Sequence, residues 1–132
     1  MRPSHIISPI AIVLGLLGIA LIFAPDNIAG FLSLDATAAL PLTLWGSALF
    51  GLGLLNWHVR NAIYGGIYGR PILLGNLAHA FAGFMALIGV ASLDGPWPIV
   101  AVTVFYGLYA AGYARIMFSP PYKTASNEPP AV

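Results

Sequence analysis

The sequence predicts an all-α integral membrane protein, a four-helix transmembrane bundle with both its N-terminus and its C-terminus in the cytoplasm. Three observations carry this expectation. Only 7% of the 132 residues are charged and 59% are hydrophobic, whereas an ordinary soluble domain carries roughly a quarter charged residues. The apolar residues fall in blocks, each close to the ~20 residues that a helix needs to cross hydrocarbon. The charges left between the blocks sort by sign.

The first block, residues 6–24, stops at Pro25, whose fixed φ and missing N–H cannot continue a helix. A cleaved signal peptide is a poor reading: Ile22 stands where a small residue is wanted, Pro25 would follow the cut, and the run is longer than a normal apolar signal core. Residues 26–35 mix Ile28, Phe31, Leu32 and Leu34 with two acids and a glycine, and are expected to lie along the interface. The second span, 38–57, tolerates Pro41 because a first-turn residue has no intrahelical N–H bond to lose. The loop 58–71 contains a short echo, Ile63-Tyr64-Gly65-Gly66 and then Ile67-Tyr68-Gly69-Arg70, which suits a compact interfacial turn. The third span, 72–93, ends at Asp94-Gly95-Pro96, and the fourth covers 98–118. Residues 1–118 therefore form a single four-span membrane domain. Residues 119–132, polar and rich in proline, are expected to be a disordered cytoplasmic tail.

Orientation follows from the cations, because Lys and Arg near span ends are retained on the cytoplasmic side. Arg2, Arg60, Arg70, Arg115 and Lys123 all fall on one side of a four-span chain, and Asp26, Asp35 and Asp94 on the other. Trp57 falls at the cytoplasmic boundary and Trp45 and Trp97 toward the opposite one, as indoles at headgroup level should. Between helices, lipid tails supply no hydrophobic drive, so close backbone approach at small residues must hold the bundle together. Gly15 with Gly18, Ser47 with Gly51, Gly75 with His79 and Gly83, and Gly107 with Ala111 offer such seams, within the chain or toward a partner.

Several chemistries lack their residues. With no cysteine there is no disulfide, no thiolate metal site and no thiol nucleophile. A formal net charge of +1 gives no basic footprint for nucleic acid. No Asp, Glu, Lys or Arg falls in the middle of a span, where proton-coupled transporters place a relay, so the embedded glutamate of the small multidrug exporters has no counterpart here. There is no Gly-x-Ser-x-Gly elbow, no His-Glu-x-x-His pair and no phosphate-binding glycine loop. No residue is assigned as catalytic.

What remains is polar and local. His79 is the one ionisable side chain well inside a span. A neutral imidazole can ligate the metal of a tetrapyrrole, and Gly75 and Gly83, one turn away on either side, would leave room for a flat macrocycle; the plainer reading is a histidine bonded across the bundle to Asn76, Asn56 or a tyrosine. A wider constellation gathers at the cytoplasmic end: Asn56, His58 and Arg60 leave the second span, Tyr64, Tyr68 and Arg70 fill the loop, and Asn76 and His79 face back toward it. Tyr106, Tyr109 and Tyr113 recur near helical spacing before Arg115. Such a set could hold a quinone, a lipid headgroup or a small anion, arginine matching phosphate or carboxylate through its planar fork. The plainer reading is a belt of aromatic and basic anchors at the helix ends.

The run Gly53-Leu54-Leu55-Asn56-Trp57-His58-Val59-Arg60, with Tyr68-Gly69-Arg70-Pro71 and Gly75-Asn76-Leu77-Ala78-His79, resembles a pattern in small uncharacterised bacterial membrane proteins whose overall plan is similar to the DoxX-like four-helix proteins. The resemblance implies a four-helix fold and carries no activity; the expected location is a bacterial inner membrane, crossed several times. The expected function is a non-catalytic accessory or scaffolding subunit that packs against partner transmembrane helices or a second copy. The alternatives are a binding or redox protein holding a tetrapyrrole, quinone or lipid near His79, and a channel for a small neutral solute, which needs no buried charge.

Overall fold

A computed structural model describes residues 3–61, 69–90 and 97–119, and among these every regular element is helical. In chain order they are α1 (Ser4–Phe23), a short α2 (Pro25–Phe31), a 3-10 turn (Ala36–Ala38), α3 (Ala39–Val59), α4 (Gly69–Ile88) and α5 (Trp97–Phe118). Helices α1, α3, α4 and α5 are long and apolar enough to cross a membrane. Residues 62–68 of the loop between the second and third spans, the turn Asp94-Gly95-Pro96 and residues 120–132 of the expected tail lie outside the described residues.

Helix ends follow the prolines. α1 stops at Phe23, and Pro25 opens α2 at a position where no N–H is needed, with Asp26 in the first turn against the positive end of the helix dipole. α2 ends in a Schellman turn: Leu34 N–H donates to Ala29 O at 2.8 Å, Ser33 N–H donates to Gly30 O at 3.1 Å, and Ser33 takes the left-handed conformation with φ 54°. Asp35 then caps the 3-10 turn by accepting from Thr37 N–H at 3.0 Å, and that backbone bond holds its carboxyl below the ordinary value. α4 begins at Gly69, three residues before the expected span, because Pro71 sits in the first turn, where a missing N–H costs nothing.

Each spanning helix buries one narrow stripe. α1 turns Ile7, Ala11, Leu14, Gly18 and Leu21 inward, and α3 turns Leu42, Gly46, Leu49, Gly53 and Asn56 inward. This alternation of four- and three-residue steps keeps one seam facing a partner helix. α1 and α3 run antiparallel and nearly backbone to backbone: a Cβ on Gly18 would stand 2.5 Å from Phe50 N, and one on Gly53 would stand 2.7 Å from Gly15 N. α4 pairs with α5 in the same sense, Gly107 facing the ring of Phe84, and Gly112 of α5 packs against Ile6 of α1 to join the two hairpins. Phe31 meets Trp97 edge-on, 6.3 Å between ring centroids, tying α2 to the start of α5.

The antiparallel order puts Arg60, Arg70 and Arg115 at one end of the bundle and Asp26 and Asp35 at the other. Polarity is inverted relative to a soluble domain. Leu16, Leu40, Leu44, Leu74, Phe81, Val104 and Leu108 face outward, whereas Asn56, Asn76, Thr103, Tyr106, Tyr109 and Tyr113 are buried. So large an apolar exterior suits contact with lipid.

Candidate functional site

Two polar groups lie inside this apolar shell. Toward the basic end, Asn56 of α3 and Asn76 of α4 meet across the bundle, Asn56 Nδ2 donating to Asn76 Oδ1 at 2.7 Å. The Tyr109 hydroxyl donates to the same oxygen, and Asn76 Nδ2 donates to Ile72 O at 2.9 Å, so the Asn76 amide is engaged at both atoms. Asn56 Oδ1 is buried and has no partner among the described residues. Where lipid surrounds a bundle, such cross-helix bonds fix which faces meet.

One turn further along α4 the second group begins. His79 Nε2 lies 3.1 Å from the Tyr106 hydroxyl, and the oxygen of that hydroxyl accepts from Trp45 Nε1 at 3.3 Å. Three helices thus converge on one oxygen. α3 supplies Trp45, α4 supplies His79 and α5 supplies Tyr106. The rings continue down α5, with centroids 6.2 Å apart for Tyr106 and Tyr109 and 5.2 Å apart for Tyr109 and Tyr113. Tyr106 sits this close to α4 because Gly83 has no side chain: a Cβ there would come within 2.5 Å of Tyr106 Cδ1.

Above this trio a cleft of ≈ 300 Å³ opens between α3 and α4, lined by Trp45, His79, Ala82, Gly83, Ala86, Leu87 and Tyr106. Ala82 and Ala86 on its rim are exposed. His79 stands ten residues into α4, about 15 Å along the axis at the helical rise, near mid-span. The walls are apolar and the polar atoms are gathered at the floor.

The other residues singled out in the sequence separate from this pair of groups. Tyr109 and Tyr113 are fully buried on α5. His58 is exposed and donates from Nδ1 to Leu54 O of its own helix at 2.9 Å. Arg60 folds back on its own helix end, donating to Trp57 O and stacking 3.8 Å from the Trp57 ring centroid. Arg70 and Arg115 are exposed, and Tyr64 and Tyr68 lie outside the described residues. The guanidinium groups therefore line the end of the bundle, while the amides and tyrosines form its interior.

Among the small residues, Gly18, Gly83 and Gly107 stand at close helix approaches, and Gly15 supplies the backbone against which Gly53 packs. Ser47, Gly51, Gly75 and Ala111 face outward, and a Cβ on Gly51 or Gly75 would meet nothing within 4 Å. Ser47 satisfies its hydroxyl on Thr43 O at 2.9 Å.

A tetrapyrrole fits this arrangement poorly. The face beside Gly83 is filled by the ring of Tyr106, and the Nε2 of His79 is engaged by the same residue. Among the described residues no three His, Asp or Glu side chains gather as a metal site. Trp45 is the site residue that sequence reasoning did not select, whereas Tyr106 entered only as one of the tyrosines recurring along the fourth span. Trp45 lies eleven residues before Asn56, about three turns along the same face, and that spacing is the signal for its inward position. No family model, no curated protein and no solved structure matches the chain.

Proposed function

We propose that the chain is a binding protein of the bacterial inner membrane that holds a small, mostly apolar, membrane-soluble molecule in the cleft between α3 and α4. The observation that carries this reading is the composition of the cleft: alanine, glycine and leucine walls over a floor where Trp45, Tyr106 and His79 converge. Ligand sites in general are clefts of roughly 300–1,000 Å³ with apolar walls and a few placed polar groups. At ≈ 300 Å³ this one suits a quinone-sized ring or a lipid chain better than a macrocycle. The basic end faces the cytoplasm in this reading, because its arginines obey the retention rule for cations.

The test is extraction and mass analysis of protein purified gently from native membranes, beside an Ala82→Trp variant whose indole fills the cleft from its exposed rim. A molecule that accompanies the native chain and is lost from the variant supports binding. Identical extracts from the two proteins would sink it.

An accessory role, packing against partner helices, has one observation in its favour: Ser47, Gly51, Gly75 and Ala111 present small residues outward with open space beside the two glycines. Gly51→Leu and Gly75→Leu would then strip a copurifying subunit while leaving the fold intact.

A further inference from the structure

The hydrogen-bond logic of the cleft floor fixes what kind of head group it accepts. Indole nitrogen is only a donor, and a tyrosine hydroxyl has one hydrogen and two lone pairs. Trp45 Nε1 donates to the Tyr106 oxygen, leaving the Tyr106 hydrogen and one lone pair to be matched. The remaining partner of that hydroxyl among the described residues is His79 Nε2 at 3.1 Å. If Nε2 carried the imidazole proton, the Tyr106 hydrogen would have no acceptor and His79 Nδ1 would be an empty acceptor as well. If Tyr106 donates to Nε2, its hydrogen and the Nε2 lone pair are matched; its oxygen, already accepting from Trp45, keeps one spare lone pair, and the one donor left over is the N–H at Nδ1. Unmatched polar groups in an apolar site cost more than a bond gains, so the second arrangement wins.

That leftover N–H belongs to a cleft-lining residue, has no hydrogen-bond partner among the described residues, and is not among the buried atoms sealed without one. We infer that the cleft selects a neutral carbonyl compound dissolved in the bilayer, whose oxygen accepts a hydrogen bond from His79 Nδ1–H while its apolar body lies along Ala82, Ala86 and Leu87. This rests on the binding role proposed above. A donor-only head would face a donor, and an anion would sit in apolar surroundings, with no Lys or Arg lining the cleft. A phospholipid is disfavoured because its ester groups stay near the surface, whereas His79 stands near mid-span.

The experiment uses the His5→Gln/His58→Gln chain, which keeps His79 as its one histidine, labelled with 15N-histidine and placed in lipid nanodiscs. NMR reads the tautomer directly. Two probes of the same shape are then titrated, 2-acetylnaphthalene and 2-isopropenylnaphthalene, which differ in a carbonyl oxygen against a methylene. The expected result is a proton on Nδ1, a resonance that moves with the ketone and not the alkene, and affinity for the ketone higher by roughly tenfold, one hydrogen bond's worth. A proton on Nε2 overturns the inference. Equal affinity for the two probes overturns the carbonyl selection and leaves the binding role standing, whereas binding of neither removes both. Discs of ester-linked and ether-linked lipid are compared without probe: the same Nδ1–H resonance in both is expected, and a shift in ester lipid alone would move the carbonyl to the bilayer lipid and overturn the dissolved ligand.

Discussion

The ring of Tyr106 occupies the space that a side chain on Gly83 would fill. This one vacancy lets α5 bring a hydroxyl to the point where Trp45 and His79 reach it. Gly83→Ala is expected to displace the ring and to destabilise the protein by about 1–3 kcal/mol, the usual cost of overpacking. Unfolding in mixed micelles measures it, with Gly107→Ala as the control. There the new methyl meets the Phe84 ring edge at 3.1 Å, which can give way, and the change is expected to stay within about 1 kcal/mol.

The α1–α3 seam makes a sharper contrast. A methyl on Gly18 or Gly53 meets backbone atoms at 2.5–2.7 Å, and backbone cannot move without moving a helix. Each Gly→Ala change there is expected to cost about 1–3 kcal/mol, whereas Gly51→Ala, open on the outer face, should stabilise by up to ~1 kcal/mol through helix propensity. Equal effects at Gly51 and Gly53 would refute the seam.

Asn76→Leu removes the oxygen that accepts from both Asn56 and Tyr109. The expected loss is about 1–3 kcal/mol, mostly from stranded donors. The Asn56→Leu/Asn76→Leu double variant should lose less than the sum of the two single changes, as a double-mutant cycle would show.

Ser33 holds φ 54° at the end of α2 without being glycine. Left-handed backbone costs an L residue roughly 1–2 kcal/mol, and glycine avoids it. Ser33→Gly is expected to raise stability by about 1 kcal/mol after its own entropy loss, read as a higher denaturation midpoint with an unchanged slope.

The absence of cysteine makes orientation directly measurable. Asp26→Cys and Arg115→Cys are expected to react with an impermeant maleimide from opposite faces, Arg115→Cys from the cytoplasm. Labelling from the same face would break the four-span topology; labelling from opposite faces but reversed would invert it.

The four spans, the break at Pro25, and the collection of Arg60, Arg70 and Arg115 at one end with Asp26 and Asp35 at the other are legible in the sequence alone. Those features depend on transfer of single residues between water, interface and hydrocarbon, and each residue carries that preference alone. The sequence also offered His79, Asn76 and Asn56 as interior groups, and a tyrosine as one partner for the histidine, which is where Tyr106 stands. Packing between helices settles what the sequence leaves open: Gly53 faces a helix and Gly51 faces outward, Trp45 turns inward while Trp57 receives Arg60, and the arginines stay apart from the buried amides. The reason lies in the solvent. In water the inward face of a helix is marked by its greater hydrophobicity, but in lipid both faces are apolar, so the pattern carries little sign of which way is in. Steric fit between pairs of helices, and the few polar atoms that must find one another, make that choice.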